Sequence, residues 1–158
     1  MQAAGLSLSL AGWQPPGQGA VRAQLAQVAH AGVRTIQLDA AMPTLRPRDL
    51  DRSARRDLAA LLRREELDLS GADLWIPANH YTTPAHQDRA VHACAQAMEL
   101  LADLASLNAQ ASGVLAIRLD GQTPIGVLDA MAAAGDATGV RIADCAWPPA
   151  DPAARPAL

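Results

Sequence analysis

The chain reads as an α/β protein: a parallel sheet of about five strands joined by crossover helices. Three stretches carry that expectation. At residues 31–40 (AGVRTIQLDA) a helix stops at a glycine, a β-branched and apolar run follows, and the run halts at a lone carboxylate, Asp39. The same order returns at 139–146 (GVRIADCA), where Asp144 ends the run, and more loosely at 113–121 (GVLAIRLDG), ending in Asp120. A glycine stop, a buried strand and an acid at the strand's C-terminal tip are what a sheet with a site along one rim looks like.

The first strand is expected at 5–10, and the loop QPPGQG at 14–19 is irregular. Val21, Leu25, Val28 and Ala29 recur at helical spacing, so a first helix spans about 20–31 and Gly32 closes it. Strand two is 33–38. A connection with Pro43 and Pro47 leads to a second helix, capped by Asp51 or Ser53, with Ala54, Leu58, Leu61 and Leu62 as its apolar stripe. Arg55, Arg56, Arg63 and Arg64 lie mostly off that stripe and read as a solvated face.

A third strand region covers 67–76, with Leu67, Leu69, Leu74, Trp75 and Ile76 apolar and Pro77 stopping the ladder. Thr83-Pro84 is a cap followed by proline at the first helical position. It opens a helix over 84–107 with Val91, Cys94, Ala95, Met98, Leu101, Ala102 and Ala105 on one face. Strand four is 114–119. Thr123-Pro124 repeats the helix-start signal, and a helix over 124–134 uses Leu128, Met131 and Ala132. Strand five is 140–143. After Trp147 only Pro, Ala, Asp, Arg and Leu remain, which divides the sequence into an α/β domain, 1–147, and a fraying tail, 148–158.

The 158 residues suit one domain with a real core. There is no Phe and one Tyr, so the core must be Ala, Leu, Val and Ile, with Trp13, Trp75 and Trp147 as the large rings. Net charge is -3 and the 13 basic residues are all Arg, a balance that suggests no nucleic-acid surface. Cys94 and Cys145 form neither a disulfide framework nor a metal spacing, and read as buried thiols in a reducing cytoplasm. The N-terminus has no signal-peptide pattern, and no run approaches the ~20 apolar residues of a membrane span. QPPGQG matches no phosphate-binding loop.

Five parallel strands in a chain of this length suit a doubly wound open sheet. A complete eight-fold barrel usually needs about 250 residues. Spacing alone leaves that choice open.

Residues 31–40, LRPRDLDRSARRDLAALLRR at 45–64 and LSGADLWIPANHYTTPAHQDRAV at 69–91 resemble the N-terminal half of the xylose isomerase-like TIM barrels. That superfamily holds sugar phosphate isomerases and epimerases and the zinc-dependent AP endonucleases. The resemblance runs over roughly 5–148 and implies a partial, half TIM barrel. It also implies a site at strand exits: an acid after strand two, a histidine after strands three and four, and a metal-binding glutamate after strand five. Asp39 stands at the first of these and His80 at the second. Asp120 replaces the strand-four histidine, and Asp144 replaces the strand-five glutamate. Strands six to eight have no counterpart.

On that likeness Asp39 and His80 are the expected catalytic residues. Trp13, at the strand-one exit, and Tyr81, beside His80, are the expected substrate contacts. Asp120 and Asp144 are the expected ligands of a divalent metal (Mn, Mg, Co or Zn) that holds adjacent sugar oxygens while a carboxylate takes a proton. The implied activity is isomerisation or epimerisation of a small carbohydrate. A homo-oligomer is expected to cover two sheet edges and an unfilled apolar interior. The alternative is a shortened, non-catalytic relic or scaffold of the same fold. DNA repair after the AP endonuclease branch fits poorly with the acidic charge balance and incomplete metal set, and neither nucleic acid nor membrane is an expected partner.

Overall fold

Five strands pair in parallel and in chain order in the computed structural model, which describes residues 7–13, 20–108 and 111–145. They are β1 (Leu8–Ser9), β2 (Thr35–Asp39), β3 (Asp68–Asp73), β4 (Val114–Ile117) and β5 (Arg141–Asp144). Four helices alternate with them: α1 (Ala20–His30), α2 (Arg52–Arg64), α3 (Pro84–Leu107) and α4 (Ile125–Thr138). The order β1-β2-β3-β4-β5 never reverses. A doubly wound sheet reverses at its switch point, whereas consecutive strands of a barrel wall do not. The loop at 14–19, Trp147 and the tail lie outside the described residues, as does the start of the first expected strand.

Local chemistry sets most of the helix ends. The Ala54 N–H donates to the Asp51 carboxylate at 2.8 Å, so Asp51 caps α2. Pro84 opens α3, but the Thr83 side chain makes no capping bond. At α4 the expected cap fails for a visible reason. The Thr123 hydroxyl donates to the Asp120 carbonyl at 2.7 Å, and Pro124 takes the cap position. This helix also outruns its expected end by four residues. Gly135 lies inside it, and a Cβ there would come within 2.8 Å of the Val140 carbonyl. The left-handed glycine that closes the helix is Gly139, at φ 71°.

One core lies between the helices and a single face of the sheet. Ile36, Leu38, Leu69, Leu115 and Ile117 supply the strand side; Leu25, Leu62, Met98, Leu104 and Met131 supply the helix side. Full burial of each such side chain contributes roughly 1.5–3 kcal/mol. Because α3 packs between α2 and α4 as well as on the sheet, its buried surface is wider than one stripe. Ala90, Ala97, Leu100 and Leu104 are buried, while Ala95, Ala102 and Ala105 are only half-buried.

The arginines of α2 are not all solvated. Arg55, half-buried, donates to the Leu50 and Pro47 carbonyls at 3.1 and 3.2 Å and pairs with Asp103 of α3. Arg63 reaches the Leu107 carbonyl at 2.7 Å. Both therefore tie α2 to its neighbourhood. Among the described residues no helix is long and apolar enough to cross a membrane.

The sheet face away from the helices is not the apolar interior expected from the sequence. In-register positions put Ser9, Gln37, Gly71 and then Asp39, Asp73, Ala116, Ala143 on that side. Small and polar side chains line it. Ser70 joins them, its hydroxyl 2.6 Å from that of Ser7 and 2.9 Å from the Ile36 carbonyl.

Candidate functional site

A register shift builds the site. Between Ile36 and Gln37 the pairing of β2 with β3 jumps by one residue, from Ile36–Leu69 to Gln37–Gly71, leaving Ser70 as the extra residue. Strand side chains alternate faces, so an uninterrupted β3 would send Leu69 and Asp73 to the same side. With the bulge, Leu69, Ala72 and Leu74 face the core and Asp73 faces away from it. Asp73 thereby becomes the register partner of Asp39. Gly71 permits the bulge: its φ is 151°, and a Cβ would sit 2.1 Å from the Val114 carbonyl oxygen.

The two carboxyl groups are buried, Asp39 at 5% and Asp73 at 2% exposure. The Ala41 N–H donates to Asp39 Oδ1 at 2.9 Å, fixing that side chain at the strand exit. The Ser9 hydroxyl donates to Asp73 Oδ2 at 2.5 Å. Ser9 Oγ in turn accepts the Ala11 N–H at 3.1 Å, which directs its own proton toward Asp73. Burial pushes the Asp73 carboxyl above the ordinary aspartate range, the Ser9 hydrogen bond opposes that, and the Asp39 charge adds to it. Asp73 thus keeps its proton to a higher pH than a free aspartate.

Cys145 follows β5 on the same rim, its N–H bonded to the Ile117 carbonyl at 2.8 Å. It is exposed, correcting the expectation of two buried thiols; Cys94 is the buried one. Partial burial raises the Cys145 thiol pKa, and the charges of Asp73 and Asp144 raise it further. Exposed Ser9 and Cys145 therefore flank a carboxyl pair lying just beneath the surface.

The residues expected from the sequence are dispersed. Asp39 belongs to the pair just described. Trp13 follows β1 and is exposed, its carbonyl accepting Gln24 Nε2 at 2.9 Å. His80 lies in a short 3-10 turn, Ala78–His80, with its ring 4.6 Å from that of His86 and no hydrogen bond to either carboxyl group. Tyr81 does not line the rim. It is fully buried, with its hydroxyl 3.3 Å from Cys94 Sγ, because the chain turns inward there onto α3. Burial raises the pKa of both groups, that of Cys94 to about 11.

Asp120 accepts the Gln122 N–H at 3.0 Å within its own turn, and Asp144 accepts the Leu119 N–H at 3.2 Å. Among the described residues no three His, Cys, Asp or Glu side chains converge as a metal centre requires. Asp120 and Asp144, the two metal ligands that the resemblance implies, are each held by a nearby backbone amide.

Asp73, Ser9 and Cys145 are not among the site residues expected from the sequence. Asp73 had a readable signal, an apolar run ending in an acid, as at Asp39. The apolar Leu74, Trp75 and Ile76 behind it concealed the strand end. No family model and no curated protein matches this chain.

Proposed function

We propose that the chain is an isomerase or epimerase acting on a small carbohydrate, with Asp39 and Asp73 moving the proton. The observation that supports this reading is the buried register pair of carboxyl groups, one of them pushed toward its protonated form. Two carboxyl groups in unlike environments suit paired acid and base work. In the proposed step Asp39 takes the proton from the carbon beside the sugar carbonyl. The C–H electron pair forms the enediol double bond, and the carbonyl oxygen takes the Asp73 proton. Asp39 then returns the proton to carbon while an enediol hydroxyl gives its proton back to Asp73, which yields the isomer or epimer and restores both carboxyl groups. Ser9 holds Asp73 in place throughout. The exposed Cys145 thiol suits a reducing cytoplasm.

The test is proton exchange. D-xylose, D-fructose and D-glucose 6-phosphate are each incubated with the protein in deuterated buffer and followed by proton NMR. Loss of the signal at the carbon beside the carbonyl, with the isomer appearing, is expected from the wild type and not from Asp73→Asn. Absence of exchange from the wild type with every sugar would remove the reading.

A second reading, a non-catalytic scaffold, draws on a separate observation. Asp120 and Asp144 bond backbone amides of nearby loops, and Tyr81 is core. An assembly covering the edges at β1 and β5 is compatible with either reading, and sedimentation at micromolar concentration tests it.

A further inference from the structure

The two tryptophans among the described residues, Trp13 and Trp75, are both exposed, and both follow C-terminal ends of strands on the rim that carries the carboxyl pair. The backbone around Trp75 holds it there. The Leu74 N–H donates to the Ala116 carbonyl at 2.9 Å, tying the chain to β4. The Ile76 N–H donates to the Leu74 carbonyl at 3.0 Å, closing a three-residue turn with Trp75 at its apex. Leu74 is buried and Ile76 packs against the core, so the apex side chain points the other way, 41% exposed. An indole buries some 150–250 Å² when covered, and leaving it in water is unfavourable. Here that ring is anchored on both sides in sequence and stands two residues beyond Asp73.

We propose that Trp75 is a stacking platform for the C–H face of a sugar ring, holding a carbohydrate over the Asp39–Asp73 pair. A sugar ring offers polar edges and an apolar face, and a flat indole beside buried carboxyl groups complements both. Tryptophan presents that flat surface with two rotatable bonds, so little side-chain entropy is lost on binding. The carbohydrate class rests on the reading under Proposed function; the platform itself rests on the turn and the exposure.

Saturation-transfer NMR on the full chain tests it, with D-xylose, D-fructose and D-glucose 6-phosphate as probes. Binding is expected from the wild type, at least about tenfold weaker for Trp75→Ala, and within about threefold of the wild type for Trp75→Phe, which keeps an aromatic face. Circular dichroism melts verify that both variants fold, as expected for a side chain turned to solvent. Equal binding by Trp75→Ala overturns the platform, and so does absence of saturation transfer from the wild type to all three sugars. Asp73→Asn separates the two readings. If Trp75→Ala binds normally while Asp73→Asn abolishes exchange, the platform falls and proton transfer stands. If binding depends on Trp75 but the wild type shows no exchange, the platform stands and proton transfer falls.

Discussion

Asp39 and Asp73 are register partners on adjacent parallel strands, and they share a face only because β3 bulges at Ser70. Leu69 and Asp73 are four residues apart, yet one faces the helices and the other faces away. The arrangement conflicts with simple stability: two acids are buried side by side with one serine hydroxyl bonded to Asp73.

That conflict has a measurable sign. The folded-state pKa of Asp73 is raised, so the fold favours its protonated form, and its contribution to stability is lost as pH rises through that folded value. Asp73→Asn mimics the protonated form and keeps an acceptor for Ser9. It is expected to melt higher than the wild type at pH 7, with the gap closing toward pH 4. A lower melting temperature at pH 7 would show that the carboxylate is held by stabilising contacts instead.

Gly71→Ala attacks the bulge itself. The new Cβ meets the Val114 carbonyl, which is backbone and cannot rotate away. A loss of more than about 2 kcal/mol is expected in urea unfolding. Ser70→Ala, which leaves the backbone free, is expected to cost about 1 kcal/mol through its bond to the Ile36 carbonyl.

The two thiols should react very differently. Cys145 is exposed and Cys94 is fully buried. Native protein is expected to take up one equivalent of a thiol reagent at Cys145 and a second only on unfolding. Because partial burial, and after it the charges of Asp73 and Asp144, raise the Cys145 pKa, its labelling rate should climb at higher pH than for a free thiol, and Asp73→Asn should move that climb part of the way down.

Tyr81→Phe distinguishes a packing role from a substrate contact. Losing a buried hydroxyl bonded to Cys94 should cost about 1 kcal/mol and leave sugar exchange unchanged. A drop in exchange at unchanged stability would restore Tyr81 to the site.

Arg55→Ala removes two hydrogen bonds to loop carbonyls and an ion pair with Asp103, which is itself half-exposed. The expected loss is about 1–2 kcal/mol, most of it from the carbonyls, so added salt should recover or remove little of it.

Local chemistry in the sequence determined the repeating unit. Helical spacing of Val21, Leu25 and Val28, the Asp51 cap, the Pro84 start and the apolar runs before Asp39 and Asp144 are short-range signals, and each element they imply is present. Sequence also placed Asp39 at a strand end, because a lone acid after an apolar run has few other uses. Only tertiary structure decided which side chains share a face and which are covered. A one-residue shift between β2 and β3 moved Asp73 across the sheet, and contact with Cys94 of α3 drew Tyr81 into the core. Each of these depends on a neighbour distant in the chain or on another element, so nearest-residue patterns do not carry it. The rim chemistry follows from that register, since burial and charge act across strands rather than along them.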